Sequence, residues 1–180
     1  MALICIGSVC FSLFHIGVII LLIINYFSSH IKKIFPFFFK STNKEEIDNQ
    51  IGNILEAKRK NKQLEQSTYI ELKNTESLNH VFSSTQNSSI VIKFGAVWCK
   101  PCNKIKEYFK NQLNYYFVTL VDIDVDIHPK LNNEHNIKAL PTFEFYFNLN
   151  NEWILVHTVE GANQNDIEKA FQKYCLEKAK

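Results

Sequence analysis

Charged side chains are absent from residues 1–31 and frequent from Lys32 onward. The apolar run is densest over residues 2–24, and 23 residues in a helix cross a hydrocarbon core with some tilt. A cleaved signal peptide is the competing reading. Against it, no basic residue precedes the run, the run exceeds the usual apolar region of such a peptide, and no A-x-A site follows. The expectation is an uncleaved signal anchor, a single-pass transmembrane segment over residues 1–31. Lys32, Lys33, Lys40 and Lys44 follow the run and none precede it, which puts the rest of the chain on the cytoplasmic side. Cleavage would put it in a lumen instead, where Asn87-Ser88-Ser89 could accept a glycan. Residues 34–39, IFPFFF, read as an aromatic belt at headgroup level, and Pro36 interrupts any helix through it.

The pattern then changes period. Residues 44–66 are polar apart from a helical stripe of Ile47, Ile51, Ile54 and Leu55. The stripe fades after Leu55, so a solvated spacer helix is favoured over a partner-binding one. Residues 32–66 thus form a basic juxtamembrane and helical spacer, and a domain occupies residues 67–180. Within it, residues 69–72 suit a short edge strand and 75–84 a helix. Residues 90–94, IVIKF, suit a buried strand, and Ile105, Tyr108, Phe109 and Leu113 then recur at helical spacing. Residues 116–123 return to strand and 127–136 to a short helix. Residues 143–147 and 153–159 pair as a hairpin through an asparagine-rich turn. A helix over 163–178 turns Ile167, Ala170, Phe171 and Tyr174 inward.

Composition narrows the function. A formal charge of +2 over 180 residues, with no basic face, argues against nucleic acid as a partner. Five cysteines, only two of them closely paired, do not make a disulfide scaffold.

Those two, Cys99 and Cys102, sit where the strand at 90–94 hands over to a helix, after the small residues Gly95 and Ala96. The attacking form of a thiol is the thiolate, and the unpaired N–H groups and macrodipole of a helix N-terminus favour negative charge. The pKa of Cys99 is therefore expected to be depressed. Cys102, one turn further in, is close enough to close a disulfide. Pro101 falls in the first turn, where a fixed φ and a missing N–H are tolerated. The expected reaction has two steps: Cys99 attacks a partner's disulfide, and Cys102 resolves the mixed disulfide. Half of a zinc site is the rival reading, but Cys5, Cys10 and Cys175 form no second CxxC and no HxxxH spacing appears.

Three motifs in order, WCKPC at 98–102, LPTF at 140–143, and Gly161-Ala162 before a final amphipathic helix, resemble thioredoxin. The resemblance covers residues 67–180. It implies an α/β thioredoxin fold: a central mixed sheet of four or five strands, helices on both faces, and a cis bond before Pro141 facing the dithiol. With the anchor, the fold class is this domain preceded by an N-terminal hydrophobic helix. The resemblance also makes Cys99 the nucleophile and Cys102 the resolving thiol, with no cofactor beyond their redox-active disulfide and no metal. Substrate binding falls to Trp98, Lys100, Pro101, Leu140, Pro141 and Gly161. The backbone at Leu140 would pair with an extended substrate by strand addition. Partners implied are protein disulfides, the membrane, and a thioredoxin-reductase-like or glutathione reductant.

The sequence departs from that family at a charged pair. Where thioredoxins usually carry a buried aspartate, six residues before the first cysteine, this chain has Lys93. Where the neighbouring strand often has a lysine, it has Asp122. The signs are exchanged, and the expectation is a partly buried Lys93–Asp122 pair beneath the site that takes part in catalysis. Lys93 and Lys100 would both favour thiolate over thiol and make the couple more oxidising. Glu107 stands where the family often has a kinking proline, so the helix after the dithiol should run straighter. Asp122, Asp124, Asp126 and His128 read as a strand end entering a polar loop rather than a metal site. His15 reads as incidental. A second functional class stays open: an adaptor or scaffold subunit of a membrane complex, with secondary redox activity.

Overall fold

The computed structural model describes residues 3–6, 9–12, 44–61, 66–73 and 78–178 and divides into two units, residues 1–44 and 45–180. In the first unit β1 (Leu3–Ile6) and β2 (Val9–Ser12) pair antiparallel. An N-terminal hydrophobic helix is not what these residues form. Ile4, Ile6, Val9 and Phe11 are β-branched or aromatic, and an unbroken apolar run suits a strand as readily as a helix. The rest of the expected anchor, His15, the lysine flank and the aromatic belt lie outside the described residues. Among the described residues no helix is long and apolar enough to cross a membrane.

The second unit is built on a five-stranded mixed sheet. β3 (Thr68–Glu71) runs parallel to β6 (Thr119–Asp124), which runs parallel to β4 (Ser89–Gly95). β7 (Thr142–Leu149) is antiparallel to β4, and β8 (Glu152–Glu160) to β7. Every residue of β4 is buried, as expected of a strand covered on both faces. Phe143, Phe145 and Phe147 of β7 join a core shared with α3 (Lys100–Asn111) and α5 (Gln164–Tyr174). Ile90, Ile92 and Phe94 face the opposite core, beneath α2 (Leu78–Ser84) and α4 (Pro129–Glu134). Hairpin, edge strand and helix positions match the sequence pattern to within a few residues.

Two elements differ from expectation. Val118 interrupts the strand expected over 116–123. Its first part, β5 (Tyr116–Phe117), pairs instead with β9 (Leu176–Glu177), because α5 stops at Tyr174 and Cys175 is extended. The helix expected as a solvated spacer, α1 (Lys44–Asn61), is docked on the domain. Ile51 and Leu55 are buried in the core beneath α5, with Ile47 and Ile54 packed against it. Asp48 accepts hydrogen bonds from Lys173 Nζ (2.7 Å) and Tyr174 OH (3.1 Å). A short apolar stripe reads the same whether solvated or docked; its partners lie more than a hundred residues away. Leu55→Ala is therefore expected to cost about 2–4 kcal/mol in a denaturant melt of the full chain. A free spacer helix would leave the midpoint unmoved.

The glycan acceptor triplet is also internal. Asn87 is buried, its Nδ2 donates to Thr119 Oγ1 (2.9 Å), and its Oδ1 accepts from the backbone N–H of Gln66. In the folded domain this amide nitrogen is committed to the fold.

Candidate active site: a dithiol at a helix N-terminus

β4 ends at Gly95, whose carbonyl accepts the Val125 N–H at 2.9 Å. The chain turns through Ala96, Val97 and Trp98, closed by a hydrogen bond from Cys99 N–H to the Ala96 carbonyl. Cys99 is the N-cap of α3, and its sulfur accepts the backbone N–H of Cys102 at 3.2 Å. That N–H is one of the unpaired donors of a helix start, so it stabilises negative charge on the sulfur. Pro101 lies in the first turn, as its fixed φ permits. The structure holds the oxidised form, a Cys99–Cys102 disulfide with Cα atoms 5.2 Å apart. Cys175, also buried, takes no part in a disulfide.

Around the sulfurs the predicted residues converge, with different exposures. Leu140 packs against Ala96, Cys99 and Cys102. The Leu140–Pro141 bond is cis, and the Pro141 carbonyl accepts the N–H of Gly161 at 2.7 Å. Gly161 has φ +88°, a conformation open to glycine and strained for other residues. Trp98 and Val97 are largely exposed, 68% and 79%, and Trp98 Nε1 donates to Asp126 Oδ2 at 2.8 Å. Lys100 and Pro101 are exposed beside the disulfide. Val97, Trp98 and Pro101 make an open apolar stretch of the rim, with Lys100 beside it, while the sulfurs are covered.

Beneath the disulfide, Lys93 on β4 and Asp122 on β6 are register partners, and Lys93 Nζ donates to Asp122 Oδ1. A side chain on Gly95 would meet Lys93 Nζ at 3.3 Å and Cys102 Sγ at 3.5 Å. The ammonium and the inner sulfur therefore flank one gap that only glycine leaves open. The pattern along the chain did not single out the rest of this network. Tyr69 OH donates to Asp122 Oδ2 at 2.9 Å, and Lys106 Nζ lies 2.9 Å from Glu71 Oε1 and 3.9 Å from Asp122 Oδ2. Burial, then the Asp122 charge, pushes the Tyr69 phenol well above its ordinary range. The Lys106 hydrogen bond holds the Glu71 carboxyl below its usual value. The signal was register: Glu71, Asp122 and Lys93 stand abreast on three adjacent strands. A cavity of about 460 Å³ opens beside Cys102, with Glu71, Lys93, Lys106 and Asp122 along part of its wall.

The acidic run does not converge. Asp124 Oδ1 accepts the Asp126 N–H, Asp126 holds the indole, and a His128 ring nitrogen bonds the Leu72 carbonyl. Among the described residues no group of three or more acidic, histidine or cysteine side chains is placed to hold a metal.

The thioredoxin family model matches residues 69–173, more than half of the chain. The chain belongs to the thioredoxin family. It is 93% identical over all 180 residues of both chains to "Thioredoxin 3" of Plasmodium falciparum. It is 39% identical to a thioredoxin of Ophiophagus hannah, over 51% of this chain and 85% of that one. A crystal structure of a Plasmodium falciparum thioredoxin, 91% identical, covers 64% of this chain and 93% of its own at a TM-score of 0.61. Reduced Schistosoma mansoni thioredoxin matches at 32% identity and a TM-score of 0.53, over 59% of this chain and 98% of its own. The five-stranded sheet with helices on both faces is thus the thioredoxin fold, and the chain is a thioredoxin-type disulfide oxidoreductase with a redox-active cysteine pair. Thioredoxin chemistry passes electrons between sulfurs and needs no added cofactor.

Proposed function

We propose that the chain reduces protein disulfides, with Cys99 as nucleophile and Cys102 as resolving thiol, while tethered to a membrane by residues 1–31. The Cys99 thiolate attacks one sulfur of the substrate disulfide. The other substrate sulfur leaves as a thiolate and takes up a proton. Cys102, as thiolate, then attacks Cys99, and the first substrate sulfur leaves and is protonated in turn. Two electrons have passed to the substrate and a Cys99–Cys102 disulfide remains. A thioredoxin-reductase-like protein or glutathione restores the dithiol.

The observation that carries this reading is the hydrogen bond from the Cys102 N–H to the Cys99 sulfur at the start of α3. It favours charge on the outer sulfur and draws no proton from the inner one. Exposed Trp98 and Val97 supply an apolar rim for a protein partner, with the backbone at Leu140 alongside for an extended segment. The test is reduction of insulin disulfides by the purified protein with dithiothreitol as reductant. Failure with both thiols intact overturns the reading.

Lys100 and Lys93 set the poise in this scheme. Each places positive charge near a sulfur, stabilises thiolate and so the reduced form, and makes the couple more oxidising. Lys100→Gly is expected to make the potential more negative, read from equilibrium with glutathione. An unchanged potential removes the argument.

The tether rests on the charge-free stretch over residues 1–31 and the lysines that follow it. The full chain should resist alkaline extraction from membranes; release into the supernatant would sink this part.

A further inference from the structure

On the face of the sheet away from α3, the fold buries a carboxylate that the dithiol chemistry does not use. Glu144 on β7 is 3% exposed, between Phe143 and Phe145, and helices cover both faces there. Burying an ionised carboxylate costs several kcal/mol unless donors replace its water. Two do so on one oxygen. His135 Nδ1 lies 2.6 Å from Glu144 Oε2, and Tyr146 OH donates to the same oxygen at 2.8 Å. A contact that short holds one proton between the ring nitrogen and the carboxyl oxygen. The phenol is kept protonated by burial and then by the Glu144 charge, which push it well above its ordinary range.

The position of His135 gives this cluster a consequence. It is the C-cap of α4, the residue from which the chain leaves toward Leu140 and Pro141. Its ring also packs against Phe94, centroids 5.0 Å apart, on the last turn of β4 before the dithiol. Asn136 follows in the left-handed region at φ 51°, so the chain departs sharply from the histidine. The far end of the segment is held by Thr142 Oγ1 donating to the Ala139 carbonyl at 2.8 Å. The near end is held by the N–H groups of Asn136 and Ile137 on the carbonyls of Asn133 and Asn132, each at 3.1 Å, and from the side-chain direction by the buried bond to Glu144.

We propose that His135 and Glu144 are positioning residues for substrate: their buried bond helps fix the segment 136–141, whose Leu140 packs against the dithiol and whose backbone there receives the extended partner. The inference rests on the substrate-binding reading above. Neither residue touches a sulfur, so the pair acts on docking and leaves the chemical step alone.

The test is a KM-against-kcat split with insulin, set beside the reaction with a small aromatic disulfide that needs no backbone pairing. His135→Phe keeps the ring on Phe94 and removes the donor. KM for insulin is expected to rise about tenfold with kcat and the small-disulfide rate unchanged, as the loss of uniform binding does. His135→Asn, whose amide nitrogen can occupy the place of Nδ1, should restore KM. If His135→Phe folds poorly, the double variant His135→Phe/Glu144→Leu leaves no buried charge unpaired and should show the same raised KM. A normal KM in the double variant overturns the proposal, as does a loss confined to melting temperature. Trp98→Ala in the same assay separates the two readings. If it raises KM and the His135 variants do not, the latch fails and the docking face stands; if no variant moves KM, the docking face itself falls.

Discussion

Replacing Cys99 with serine is expected to abolish insulin reduction, leaving turnover at least about a thousandfold below the parent protein, the scale of losing an indispensable nucleophile. Cys102→Ser should fail at a different step. Its Cys99 sulfur still caps α3 and still accepts the N–H of residue 102, because that donor is backbone. The thiolate therefore still forms and attacks, but no second sulfur stands beside it to break the mixed disulfide. A substrate protein should remain covalently attached, visible on a non-reducing gel and released by dithiothreitol. The asymmetry is the informative part. Capture by Cys99→Ser and not by Cys102→Ser would reverse the assignment of roles. Partner capture that survives both changes and persists in dithiothreitol would favour the adaptor reading, in which the fold binds and the sulfurs are secondary.

Much of this was legible along the chain because it depends on local order. A fully apolar strand, two small residues, then cysteines at the start of a helical period define the site without any distant contact. The hairpin of β7 and β8 is equally local. What escaped depends on residues far apart. The Ile51 and Leu55 stripe looks alike on a solvated and a docked helix, and only Asp48 meeting Lys173 and Tyr174 decides between them. Two-residue strands such as β5 and β9 carry no periodicity to read. Glu144 between two phenylalanines looks like a solvent-facing position until helices are known to cover both faces. At residues 3–6 and 9–12 an apolar run read as helix forms paired strands, because apolar content alone does not choose between the two.

The exchanged charges predict the largest loss of stability. Lys93 is 4% exposed at its side chain and Asp122 10%, so each is largely cut off from water. Asp122→Leu would strand the Lys93 ammonium beside Cys102 and leave the Tyr69 hydroxyl only its longer bond to Glu71 at 3.3 Å. The expected cost is about 3–5 kcal/mol, a fall of roughly 10–20 °C in melting temperature for a domain of this size. Lys93→Met should cost less, because Asp122 keeps the Tyr69 hydroxyl and has Lys106 within reach. The double variant Lys93→Met/Asp122→Leu should recover most of the Asp122→Leu loss, since an apolar pair needs no compensation. Redox behaviour divides the other way. Lys93 Nζ and Cys102 Sγ both lie within 3.5 Å of where a Cβ on Gly95 would stand, so removing the ammonium withdraws positive charge from the inner sulfur. Lys93→Met should thus give a more negative potential with modest loss of stability, and Asp122→Leu a severe loss of stability. Melts and glutathione equilibria on the three variants would show it; an Asp122→Leu cost below about 1 kcal/mol, the scale of an exposed pair, would mean that the charges are solvated after all.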